Sequence, residues 1–124
     1  MRLTIKGTNL EVTAELKSYT TEKLTSVQKF FSETPADAII ADIELARTTK
    51  HHQKGPVFRC EVNLTVGKKL LRAEEVGESI IEAVDKVKDE IERQAHDHIE
   101  RRRSRFLRAA RDFTSRLKFW NSNH

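Results

Sequence analysis

The chain is poor in the residues that staple, break or redirect a backbone. It has a single cysteine, Cys60, so an internal disulfide framework is excluded; this fits a reducing compartment such as the cytoplasm. Its four glycines, Gly7, Gly55, Gly67 and Gly77, form neither a dinucleotide fingerprint nor a phosphate loop. Its two prolines, Pro35 and Pro56, fall where loops are expected. No run of about 18 apolar residues is present to span a membrane. The N-terminus enters an alternating pattern at once, with no apolar core of a signal peptide.

Catalytic chemistry is equally thin. His96 and His98 are two apart and point to different sides of a helix, whereas a helical metal pair needs a spacing of four. His51 and His52 sit in a polar loop without a nearby cysteine. Cys60 alternates with core residues and reads as a small buried hydrophobe. Glu74, Glu75 and Glu78 precede a helix, where capping and solvation account for them. No Ser/His/Asp arrangement has a defensible spacing. The expectation is a protein that is not an enzyme, with no cofactor, no metal and no small-molecule substrate.

What the sequence does have is one long uninterrupted amphipathic stretch, Glu78 to about Arg111. Ile80, Val84, Val87, Ile91, Ala95 and Ile99 recur at three- and four-residue steps and so share one side of a helix. Charge divides along it. Residues 1–100 carry 15 Lys/Arg against 18 Asp/Glu, a net of −3. Residues 101–124 carry 8 Lys/Arg against one acid, Asp112, a net of +7. A concentrated positive segment favours an anionic partner, nucleic acid before membrane, against the plainer reading of a solvated tail. The expected organisation is an α+β domain over 1–100 and an arginine-rich helical extension or tail over 101–124.

In chain order, Met1–Lys6 alternates as a half-buried strand, and Gly7–Asn9 turns. Thr13 is a plausible N-cap for a helix over Ala14–Ser32, with Leu16, Thr20, Leu24, Val27 and Phe31 on its apolar side. Ile39–Ala46 alternates as a second strand, and Arg47–Pro56 reads as a long polar hairpin connection. Phe58, Cys60, Val62, Leu64 and Val66 face a core from a third strand. Gly67 and Lys68 turn tightly into a fourth, Lys69 to about Glu74. The order β-α-β-β-β-α predicts one four-stranded sheet with two helices on one face. The last three strands form an antiparallel meander, and periodicity does not place the first.

The basic residues are the best functional candidates. Lys86 and Arg93 share a face away from the apolar stripe, and Arg101, Arg102, Arg103, Arg105, Arg108 and Arg111 surround the extension. Lys17, Lys23 and Lys29 lie off the first helix's stripe, either as ordinary solvated lysines or as phosphate contacts. Phe106, Leu107, Phe113, Leu117, Phe119 and Trp120 interleave with the arginines. They can stack on bases, pack back on the core, or pair with another copy. Strand three shows no aromatic pair for base stacking. Recognition by phosphate and groove shape, as for double-stranded RNA, is therefore the better expectation.

Taken together, these residues resemble the short ribosome hibernation-promoting factor / ribosome-associated inhibitor A family, also called the sigma-54 modulation protein family. The match runs through Thr4–Asn9, Thr13-Ala14 with Tyr19 and Lys23-Leu24, Phe30-Phe31, Gly67-Lys68-Lys69-Leu70-Leu71-Arg72-Ala73-Glu74-Glu75, and Ala83-Val84-Asp85 with Ile91 and Gln94. It covers about residues 1–100. The resemblance implies a fold similar to the double-stranded-RNA-binding domain. It implies binding to the small ribosomal subunit and its 16S-type rRNA in the mRNA/tRNA channel, with inhibition of translation and stabilisation of idle ribosomes in the cytoplasm. Lys23, Lys86, Lys88 and Arg93 match family basic positions facing rRNA; Lys17 and Arg72 are weaker matches. Asp85 and Gln94 are expected to fix the second helix. The sequence departs from the family in Ser79-Ile80-Ile81-Glu82 and in the acids Asp89, Glu90 and Glu92. The alternatives are a module for structured RNA off the ribosome, or a protein-interaction module dimerising through Phe106–Trp120.

Overall fold

The computed structural model describes residues 1–49 and 56–123. Strand β1 (Arg2–Thr8) leads to helix α1 (Ala14–Thr25), then β2 (Ile39–Thr49), β3 (Pro56–Val66), β4 (Lys69–Gly77) and helix α2 (Ile80–Asn123). The expected order holds. The sheet order is β1-β2-β3-β4. β1 pairs parallel with β2, and β2, β3 and β4 form the antiparallel meander. The parallel pairing follows from the intervening helix, which carries the chain back across the sheet. One row, Ile5–Ile43–Val62–Ala73, crosses all four strands.

That row and its neighbours form the core with the two helices. Ile43, Leu45, Cys60, Val62 and Leu64 pack with Leu24 and Val27 from the first helical segment and with Val84, Val87, Ile91 and Ala95 from α2. Burial pushes the Cys60 thiol up to about 12. The opposite sheet face is a charge ladder. Arg59 pairs with Glu44, with Glu61 at 3.2 Å and with Glu74 at 3.6 Å.

Several boundaries differ from the sequence reading. Helix α1 stops at Thr25 and continues as a 3₁₀ helix, Ser26–Phe31. The Ser26 hydroxyl donates to the Lys23 carbonyl at 2.6 Å, a local bond that competes with the α-helical ladder. The tighter turn still buries Val27 and Phe31. Strands β2 and β4 run about three residues further than expected, and Pro56 opens β3 instead of lying in a loop. The first residue of a strand tolerates a missing N–H. The rest of the expected hairpin connection, with His51 and His52, lies outside the described residues. Gly67 turns β3 into β4 at φ +60°, where a Cβ would be strained.

Helix α2 begins on a capping arrangement. The Ser79 hydroxyl accepts from the Glu82 amide at 3.1 Å, and the Glu82 carboxylate accepts from the Glu78 amide at 3.0 Å. The departure from the family pattern at Ser79–Glu82 is thus a helix start. The helix also runs past the expected end near Arg111, through to Asn123. Its stripe is buried only to Ala95; Ile99, expected on that stripe, is 37% exposed. Residues 101–120 are exposed throughout. Packing of Phe106–Trp120 back on the core is therefore excluded.

Two stability tests follow. Thr20 is fully buried and its hydroxyl has no hydrogen-bond partner among the described residues. Thr20→Val removes that unsatisfied group at constant shape and is expected to stabilise the domain by about 1 kcal/mol in denaturant melts; a loss of similar size would show a hidden partner. The second concerns Cys60. Only a thiolate attacks an alkylating or disulfide reagent, and the native thiol ionises far above its ordinary value of 9.0. At pH 8.5, labelling of the folded protein should proceed only at the rate of opening. The same linkage makes stability full below the ordinary thiol range and lets it fall as pH rises from there toward about 12.

Candidate nucleic-acid interface

The expected RNA-contacting residues do not form one patch. Helix α2 divides those on the domain between its two flanks. On the α1 side, the Tyr19 hydroxyl donates to Asp85 at 2.6 Å, joining the helices. That bond pushes the phenol up to about 12. Lys23 lies over the Tyr19 ring, 5.4 Å from its centre. Lys88, one turn beyond Asp85, pairs with Glu92 at 2.9 Å. On the β4 side, Lys86 bonds Glu82 at 3.1 Å and donates to the Val76 carbonyl at 3.1 Å. Gln94 donates to the Arg72 carbonyl at 2.9 Å. β4 is an edge strand, so these two side chains occupy backbone acceptors that a foreign strand would otherwise use. Lys86 thus has a structural duty that its spacing did not reveal, while Asp85 and Gln94 tie α2 to its neighbours as expected.

Arg93 is the most heavily engaged. Its guanidinium holds Glu90 at 2.7 Å and Asp97 at 2.8 Å. Arg93 and Gln94 together hold the Glu90 carboxyl down to about 2. The pairing is therefore complete above the ordinary range of 4.5 and fades only as pH falls toward 2. Arg72 lies on the charge-ladder face of the sheet, paired with Glu61 at 3.6 Å, away from the helices. Lys17 is exposed on α1, beside a shallow depression with Ser18, Thr21 and Ser26.

The extension differs in kind. Arg102 reaches back to Glu33 at 3.2 Å. Among the described residues, Arg101, Arg103, Arg105, Arg108 and Arg111 have no acid within ion-pair distance. Arg101, Arg105 and Arg108 line an open cleft with Lys69 of β4 and with Arg93. Half-buried His98 shares that cleft. Its burial first, then Lys69, Arg102, Arg105 and Arg101, push its pKa down. The cations Lys69, Arg101 and Arg105 around it give the cleft a positive excess over its two acids, Asp97 and Glu100, a setting that attracts phosphate. Among the described residues, no cluster of three His, Cys, Asp or Glu is placed to hold a metal ion, and no helix is long and apolar enough to cross a membrane.

The fold itself is shared with two solved proteins. One is the N-terminal domain of Thermus thermophilus Protein Y, with a TM-score of 0.65 and 24% identity over 77% of this chain and 96% of that one. The other is a ribosomal subunit interface protein from Coxiella burnetii, with a TM-score of 0.64 and 18% identity over 81% of this chain and 99% of that one. The class is therefore a mixed four-stranded sheet covered by two helices, of the kind these proteins define. More specifically, residues 3–103 match the family described as Sigma 54 modulation protein / S30EA ribosomal protein, and the chain belongs to that family. Two similar curated relatives are both named ribosome hibernation promotion factor. The one from Picosynechococcus is 30% identical over 82% of this chain, and the one from Lactococcus lactis is 28% identical over 76%. The chain spans about half the length of these relatives, 50% and 47% respectively.

The acid pairing of Arg93 makes a testable prediction. The double change Glu90→Gln with Asp97→Asn should free Arg93 and strengthen binding to duplex RNA several-fold at low salt. Each freed cation that reaches a phosphate should steepen the log–log salt slope by about 0.7–0.9. The control, Glu11→Gln with Asp37→Asn, changes net charge equally at exposed sites away from Arg93. Equal gains in both variants would mean that only net charge matters.

Proposed function

We propose that this chain binds the small ribosomal subunit in the channel for mRNA and tRNA, inhibiting translation and stabilising idle ribosomes in the cytoplasm. It does so without catalysis, by occupying space. The observation that carries this reading is the concentration of arginines without an acid at ion-pair distance on one helix of a domain in the S30EA family. The names of the relatives and of the Coxiella structure point the same way.

The contact would be divided. Arg101, Arg103 and Arg105, with Arg108 and Arg111, would supply most of the phosphate contacts because no acid competes for them. Arg102 would join at the expense of Glu33. Lys23 and Lys17 on α1 would position the domain. Lys86, Lys88 and Arg93 would contribute less, since binding phosphate costs each an existing carboxylate partner. Arg72 would contribute least, being on the far face of the sheet.

The test is sedimentation of the purified protein through sucrose gradients with 30S, 50S and 70S particles at low and moderate salt. Co-migration with 30S and 70S but not 50S is expected. The triple change Arg101→Glu, Arg105→Glu, Arg108→Glu should weaken it at least ~10-fold. Lys88→Glu with Arg93→Glu should weaken it less. Absence from every ribosomal fraction, with duplex RNA still bound, would transfer the function to structured RNA off the ribosome.

A further inference from the structure

The extension carries a second pattern, independent of its arginines. Ile99, Phe106, Ala110, Phe113, Leu117 and Trp120 follow one another at steps of 7, 4, 3, 4 and 3. These are the inner positions of a heptad repeat sustained over three heptads, the seam of paired helices. In the structure the large side chains of this seam are exposed. Phe106 is 72% exposed, Phe113 64%, Leu117 46% and Trp120 61%. The 23 residues of helix beyond the domain, about 34 Å long, have little tertiary support: Arg102 reaches Glu33, and Phe106 lines a cleft with Phe30 and Phe31.

We propose that this seam pairs with the same seam of a second copy, antiparallel, with the two-fold axis between Arg111 and Asp112. The register is fixed by size and charge. Ala110 then lies opposite Phe113 of the second copy, and Phe106 opposite its Leu117, so that small meets large and the layers fill. The single charged seam position, Arg103, comes opposite Trp120, where the indole face accepts a guanidinium. Beside the seam, Leu107 meets Thr114 and Ala109 meets Arg116. No arginine of one copy meets an arginine of the other there. A parallel pair fails on each count: Arg103 faces Arg103 in an apolar seam, and Ala110 faces Ala110 across a gap.

A second copy suits this face better than RNA does. The sustained heptad and its small-to-large register are what a second helix uses, whereas base stacking needs no repeat; Arg101, Arg108 and Arg111 lie on the far side of the helix from the seam, with Arg103 alone among the arginines within it. Pairing leaves those three arginines outward-facing. The inference therefore does not depend on the ribosomal reading, and its test uses no ribosome.

Sedimentation equilibrium of the full chain from about 1 to 100 μM should show a concentration-dependent dimer. Phe106→Asp with Phe113→Asp should give a monomer whose domain melts as before, since both side chains lie outside the core. A wild-type chain that stays monomeric at 100 μM overturns the proposal. Orientation is read by oxidation of Leu107→Cys and Thr114→Cys variants, Cys60 being buried and inert. A mixture should form the 107–114 cross-link while each variant alone forms little. Self-cross-linking of each variant overturns the antiparallel register. A monomeric wild type whose RNA binding is lost on Phe106→Asp would assign the seam to nucleic acid and overturn the dimer.

Discussion

The contact of Val84, Val87, Ile91 and Ala95 with the sheet is the constraint on which the rest of the molecule depends. It is where the long helix gains its stability, and it fixes what each flank of that helix faces. Lys86 and Gln94 reach the edge of β4 only because the stripe sets the rotation of α2. Asp85 meets Tyr19 for the same reason. Past Ala95 the apolar stripe loses its partner, yet no proline or glycine ends the helix. The consequence is that α2 continues beyond the domain through Asn123, with its side chains at helical spacing.

Electrostatics divides at the same place. On the part of α2 that packs on the domain, cations sit three or four residues from acids, at 82/86, 88/92, 90/93 and 93/97, and each is neutralised locally. Such exposed pairs add little stability. Their effect on binding is larger, because a phosphate must displace a carboxylate already at contact distance. The extension has Asp112 alone among its acids. Although domain and extension share one helix, the attraction for an anion is concentrated beyond residue 100.

Much of the fold was legible because periodicity switches between two and about 3.6 along the chain. Order, layer arrangement and the inward faces of β2 and β3 came from that signal alone. What escaped depended on competition between local and distant bonds. The change of α1 to a 3₁₀ helix coincides with a local bond from the Ser26 hydroxyl to the Lys23 carbonyl, which periodicity does not register. The parallel placement of β1 is a tertiary fact that alternation cannot carry. Among the site residues, the sequence shows the positive charges and the acids Asp89, Glu90 and Glu92 beside them, and the individual pairings only through spacing. Spacings of three and four between Glu90, Arg93 and Asp97 were there to be read. The engagement of Lys86 with the Val76 carbonyl was not, since it requires knowing which strand is the edge.

The two patterns on the extension are compatible for a geometric reason. A heptad seam occupies roughly one third of a helix circumference, and the arginines at 101, 108 and 111 fall on the other side. A solvated tail needs neither a repeat nor a direction. A simple basic arm would place aromatics and cations together. With Arg101, Arg108 and Arg111 on the far side of the helix from the seam, apolar burial and phosphate attraction can operate at once. Apolar pairing along the seam would also offset the mutual repulsion of Arg101, Arg108 and Arg111 on the far side of the helix.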